Sequence, residues 1–154
     1  DRPQTQNYQV SIAFIGEMSM VTRMADGEKP AYHILVVDDD PSVGRAIELM
    51  LQCYGHQVQT ANDGHTALSL FETGNFDLVI TDYLMPEMKG DQLIVELKRR
   101  RPGQRVILAT AFADDFIAHG KSACGVDHVL AKPFSLAELQ SAIRKVMSGS
   151  GAEI

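Results

Sequence analysis

The sequence predicts an α/β fold: a doubly wound sheet of five parallel strands with helices on both faces. Three observations predict it. After residue 31, strand-like and helix-like segments alternate with regularity, as in a parallel sheet wound with crossover helices. Three strand candidates contain continuous apolar runs, ILVV, LVI and VILA, as central strands covered on both faces should. Acids and a hydroxyl stand where those strands end, and a lysine where the fifth ends, the edge at which open α/β sheets bind ligands.

The first strand is HILVVD, and it runs into three consecutive aspartates, Asp38, Asp39 and Asp40, before Pro41. In the helix that follows, Val43, Ala46, Ile47, Met50 and Tyr54 fall at i, i+3, i+4, i+7 and i+11, which predicts one apolar face. Asp40 and Pro41 suit its N-cap and first position, and Gly55 suits its stop. QVQTA, FDLVITD, RVILAT and DHVLAK are the remaining strands. Leu93, Ile94 and Leu97 mark the third helix. The segment from Ala113 to Ala123 is the weakest, with Phe116 and Ile117 and few other apolar residues. Leu136, Leu139, Ile143 and Val146 give the last helix its stripe.

A chain of 154 residues with 45% hydrophobic and 22% charged residues suits one compact domain plus an extra segment. Residues 1–31 form that segment, an N-terminal extension of unassigned role. Within it NYQVSIAFIGEM is a candidate strand and MADGEKP reads as a linker. Residues 32–148 form the domain, and 149–154 a flexible tail. The net charge of -6 makes this domain a poor candidate for direct nucleic-acid binding. Its one basic run, Lys98 to Arg101, closes a predicted helix, where cations suit the dipole. Cys53 and Cys124 lack metal or redox spacing, so reduced thiols in a cytoplasmic protein are expected. No apolar run is long enough for a membrane helix, and no signal peptide is recognisable. The chain begins at Asp1 and not at Met, so a start further upstream is expected.

The loop after the first strand, DDDPSVG, contains neither GxGxxG nor GKS/GKT. Adjacent carboxylates repel one another and would repel a phosphate. They would attract one through a hard cation, and oxygen ligands of this kind suit Mg²⁺. The third strand delivers Asp82 to the same edge, the fourth Thr110 and the fifth Lys132, followed by Pro133. Singly these are an N-cap, strand-end residues and a solvated lysine. Together they are a constellation.

With these motifs, residues 32–148 resemble the receiver domain of two-component response regulators, similar to the chemotaxis response regulators. Asp38 and Asp39 match the family's acidic pair, TDYLMPEMKG around Asp82 its phosphoacceptor motif, Thr110 in ILATA its hydroxyl, and AKPF its Lys-Pro. The resemblance implies a flavodoxin-like three-layer fold with strand order 2-1-3-4-5. It implies that Asp82 accepts a phosphoryl group from a phosphohistidine of a sensor histidine kinase or phosphotransfer protein, and that the product switches an interaction surface for an unidentified effector. It further implies Mg²⁺ (or Mn²⁺) held by Asp38, Asp39, Asp82 and the Leu84 backbone carbonyl. Thr110 and Lys132 would contact the phosphoryl oxygens, Asp40 would cap the helix, and Lys132-Pro133 would be cis. The domain would be a phosphoacceptor that catalyses its own phosphorylation and slow dephosphorylation, not an enzyme on a separate substrate. No membrane partner is implied, and homodimerisation is left open.

Two positions depart from the family pattern. Lys89 stands where an Asp usually precedes the loop glycine, and Val129 stands where an aromatic switch residue usually lies. Three rival readings stand beside this one. The chain could be the receiver of a hybrid sensor kinase. A haloacid-dehalogenase-type hydrolase would need an acid where Leu84 stands. An unphosphorylated pseudo-receiver would lack a site residue, and none is lacking.

Overall fold

The computed structural model describes residues 30–119 and 124–149. The candidate strand and linker before residue 30, and the tail from residue 150, lie outside the described residues. The elements are β1 (His33–Val37), α1 (Pro41–Cys53), β2 (Gln57–Ala61), α2 (Gly64–Thr73), β3 (Leu78–Asp82), α3 (Gly90–Arg100), β4 (Arg105–Thr110), α4 (Ala113–His119), β5 (His128–Ala131) and α5 (Leu136–Met147). The strands pair in parallel in the order β2-β1-β3-β4-β5. The winding reverses between β1 and β3, so their carboxyl ends flank a topological switch point.

The continuous apolar runs follow from covering both faces. Successive strand residues point to opposite sides, and two separate cores receive them. Leu35, Val37, Val79, Val106 and Leu108 pack with Phe71 of α2, Leu93, Ile94 and Leu97 of α3, and Phe116 of α4. Ile34, Val36, Leu78, Ile80 and Ile107 pack with Ile47 and Leu51 of α1 and with Leu139, Ile143 and Val146 of α5. Truncating one such residue to Ala costs about 2–5 kcal/mol, a large share of the roughly 5–15 kcal/mol that holds a domain folded. These cores fix the strand ends, and therefore the site.

The caps of α1 agree with the sequence reading. The Asp40 carboxylate accepts from the Ser42 N–H at 2.9 Å, and Pro41 opens α1. Tyr54 caps the end of α1, and Gly55 follows at φ 85°, a left-handed conformation that glycine adopts without strain. Hydrogen bonds from the Thr66 N–H and hydroxyl hold Asp63, the N-cap of α2, below the ordinary carboxylate range. The Ser135 hydroxyl accepts from the Glu138 N–H at 3.1 Å and opens α5.

The predicted face of α1 is corrected at Ala46. The helix buries Gly44, Ile47 and Leu51, and Val43 and Met50 pack partly buried against the same core, while Ala46 is exposed. Gly44 is the buried position facing Asp38, where a Cβ would lie 4.0 Å from the Asp38 Cβ, an ordinary contact. Val43, Ala46 and Met50 also line an open groove.

The basic run at the end of α3 is engaged within the fold. Lys98 pairs with Asp127 at 2.7 Å, and Arg99 and Arg100 pair with Glu96. Arg101 donates to the carbonyls of Phe71 and Gly74 and lies over the Phe71 ring. No helix among the described residues is long and apolar enough to cross a membrane.

One buried histidine makes stability pH-dependent. The His56 Nδ1 accepts from the Tyr32 N–H at 3.0 Å, so the neutral ring carries its proton on Nε2, which is buried with no partner among the described residues. Burial holds its pKa below the ordinary histidine value. The neutral form therefore favours folding above the unfolded-state pKa, and this stability is lost as pH falls through the folded-state pKa. Thermal unfolding at about pH 7.5 and about pH 5.5 should show a drop for the wild type that shrinks in His56→Phe. An equal drop in both proteins would refute the assignment to His56.

Candidate functional site

Each candidate side chain is placed by the end of a strand. Asp38 follows β1, and its N–H donates to the Ala61 carbonyl of β2 at 3.1 Å. Asp82 is the last residue of β3, in register with Ala109 of β4. Thr110 ends β4 in register with Ala131 of β5, and its carbonyl accepts from the Lys132 N–H at 2.9 Å. The sheet thus sets these residues along one edge before any side chain is considered.

The three aspartates of the opening triplet divide the work. Asp40 turns away to cap α1. Asp38 is 3% exposed, and its Oδ1 accepts from the Asp40 N–H at 2.9 Å. Asp39 is exposed. One carboxylate oxygen from each of Asp38, Asp39 and Asp82 lies within 4.8 Å of the others. Lys132 reaches back into this cluster. Its Nζ lies 2.8 Å from Asp38 Oδ2 and 3.5 Å from Asp82 Oδ1, and the Lys132-Pro133 peptide bond is cis.

Electrostatics here are unfavourable by design of the position. Burial pushes the Asp82 carboxyl above the ordinary carboxylate range; the Lys132 ammonium opposes that, and the Asp38 charge adds to it. The Tyr83 N–H, 2.8 Å from Asp82 Oδ1, also favours the charged form. A single lysine shared by two close carboxylates leaves the group short of positive charge. Clustered, partly desolvated oxygens are the donor set of a hard divalent cation, so the residues present fit Mg²⁺.

Thr110 is 1% exposed, and its Oγ1 accepts from the Phe112 N–H at 3.1 Å, tying the strand end to the start of α4. Leu84, named in the sequence reading for its carbonyl, presents a side chain that is 46% exposed. Phe112 is 51% exposed.

A family model for the response regulator receiver domain matches residues 34–144. The chain belongs to the response regulator receiver family. Among curated relatives of this receiver is the probable transcriptional regulatory protein TcrX of Mycobacterium tuberculosis. It is 34% identical over 131 residues, which are 84% of this chain and 54% of TcrX. The receiver thus spans about half the length of that relative. Among solved structures, response regulator TrrA of Thermotoga maritima, in complex with Mg²⁺-BeF, aligns with a TM-score of 0.69 and 33% identity, covering 74% of this chain and 97% of that one. The receiver domain of sensor histidine kinase PA1611 of Pseudomonas aeruginosa, with magnesium in its active-site cleft, aligns with a TM-score of 0.71 and 28% identity, covering 77% and 99%.

Two features of this receiver's loop escaped the sequence reading. Gly90, which opens α3, is pressed against β3: a Cβ there would collide with the Asp82 carbonyl oxygen and crowd Tyr83 Cα. A glycine directly after a phosphoacceptor-type loop is a signal that could have revealed this. Tyr83 donates its N–H to Asp82 while its ring meets Phe116 of α4 edge-on, centroids 5.3 Å apart. A lone aromatic after a strand gives no such signal. At the two departures from the family pattern, Lys89 Nζ lies 6.0 Å from the Tyr83 ring centroid, and Val129 packs partly buried against the core that holds Phe116.

Proposed function

We propose that Asp82 is the phosphoacceptor of this receiver and that its phosphorylation depends on Mg²⁺ (or Mn²⁺). The observation that carries the reading is the meeting of Asp38, Asp39, Asp82 and Lys132 at one edge of the sheet. The carboxylates of Asp38, Asp39 and Asp82 and the Leu84 carbonyl are the groups that would hold the ion. Bound there, it supplies neutralisation of charge on the transferring phosphoryl group.

In the transfer itself, an Asp82 carboxylate oxygen attacks phosphorus in line as the P–N bond of a phosphohistidine breaks and its electron pair returns to the imidazole. Positioning and charge stabilisation dominate such a step, so a weak carboxylate nucleophile suffices. The Lys132 ammonium, already within reach of Asp82, neutralises a phosphoryl oxygen. The Thr110 hydroxyl donates to another and draws the β4–α4 connection inward. The protein is its own substrate.

The donor is a histidine kinase or phosphotransfer protein, and the groove beside the site is where it would dock. A cleft of about 470 Å³ runs between Val43, Ala46 and Met50 of α1 and Pro133 and Phe134 after β5, with Lys132 at its edge. An amphipathic helix laid there would bring a phosphohistidine to Asp82. The boundaries at 32 and 148, with an extension before and a tail after, belong to the same proposal.

Acetyl phosphate tests the reading without a partner. The protein should gain one phosphoryl group by intact mass in Mg²⁺ and none in excess EDTA. Undiminished labelling in EDTA would overturn the metal dependence.

A further inference from the structure

We propose that Tyr83 is a positioning residue that carries the state of Asp82 to α4 through its ring contact with Phe116. The proposal rests on Asp82 being the phosphoacceptor. Its own support is a chain of contacts that begins at the carboxylate and ends in the helix.

The main chain of Tyr83 is held at both ends. Its N–H donates to Asp82 Oδ1, and its carbonyl accepts from the Gly90 N–H, each at 2.8 Å. Gly90 lies so close that no Cβ fits between it and the Tyr83 backbone. The Tyr83 backbone is thus braced between Asp82 and Gly90, and a change in the bond to Asp82 has a short path to the ring. Phosphorylation makes such a change, because the acyl oxygens of Asp82 lose their carboxylate charge while charged phosphoryl oxygens bring new acceptors beside the Tyr83 N–H.

The ring delivers the change to a helix that is loosely anchored. α4 has seven residues, and Ala113 and Phe116 are its buried positions among the described residues. Phe116 is thus the main anchor, and the Tyr83 ring bears on it at an interplanar angle of 60°. An edge-on aromatic contact of this kind can shift a two-state equilibrium by about two- to tenfold. Val129, on the neighbouring strand, packs against the same core but brings no ring to it. Lys89 adds a second positive group on this path, since its ammonium stands 6.0 Å from the Tyr83 ring centroid.

Hydrogen exchange at residues 112–119, with and without Mg²⁺-beryllofluoride, tests this in the wild type, Tyr83→Phe and Tyr83→Leu, alongside acetyl phosphate labelling by intact mass. Tyr83→Phe should keep the full change in protection. Tyr83→Leu should label within about threefold of the wild-type rate yet lose most of the change. Phe116→Leu, which breaks the same contact from the helix side, should behave as Tyr83→Leu does. A full protection change in both leucine variants would overturn the proposal, as would its loss in Tyr83→Phe. Failure of the wild type to label would instead strike the assignment of Asp82, so the two failures are distinguishable.

Discussion

Asp82→Asn is expected to accept no phosphoryl group from acetyl phosphate and to melt at a higher temperature than the wild type in the absence of Mg²⁺. The first effect follows from chemistry. An amide oxygen is a far poorer nucleophile than a carboxylate and cannot leave a stable acyl phosphate, so labelling should fall from one group per chain to none. The second follows from the site's electrostatics. Burial and the neighbouring Asp38 charge raise the Asp82 carboxyl above its ordinary range. A carboxyl with a raised folded-state pKa is held charged at neutral pH at a cost to folding. Asn keeps the shape and removes that cost.

The pairing of the two results guards against a trivial explanation. A variant that lost labelling because it unfolded would melt lower, not higher. Mg²⁺ should also raise the wild-type melting temperature more than that of Asp82→Asn, since binding to the folded state stabilises in proportion to affinity. Persistent labelling of Asp82→Asn would show that another residue takes the phosphoryl group. A lower melting temperature would show that Asp82 supports the fold, contrary to its surroundings.

The legible parts of this protein are those where several physical demands fall on the same residues. ILVV, LVI and VILA must be buried on both sides, and only central strands of a covered sheet do that, so the sheet could be read directly. The strand ends then brought Asp38, Asp82 and Lys132 together without any knowledge of side-chain positions. The face of α1 was misread at Ala46 because periodicity weighs apolar mass. It credited Ala46, which is exposed, and passed over Gly44, which is buried. The bond from Tyr32 to His56 and the contact of Tyr83 with Phe116 were not legible. Each joins residues far apart in sequence through a single pair of groups, and no repeating pattern records it.

The phosphorylated state is expected to be long-lived, and Leu84→Asn with Phe112→Glu is expected to shorten it by about tenfold or more. An acyl phosphate is lost when water attacks phosphorus in line, opposite the Asp82 oxygen. That water needs a partner to orient it, and the side chains two residues beyond Asp82 and two beyond Thr110 are Leu84 and Phe112. Neither offers a polar atom. Both stand half exposed at the rim of the site, where an apolar side chain can crowd or dry the approach. The Phe112 backbone is held by the Thr110 hydroxyl at 3.1 Å, so its side chain starts from a fixed point and moves inward if Thr110 does. The opposing picture is that both side chains turn into solvent and leave the path open. Positioning or general-base help is typically worth about 10²–10⁴-fold, so restoring even part of it should be visible over a barrier that is otherwise unaided. Dephosphorylation followed by intact mass after removal of acetyl phosphate decides between the two pictures. Faster loss in either variant, and fastest in the double variant, supports the apolar shield. Unchanged rates in all three would mean that Leu84 and Phe112 do not set the lifetime.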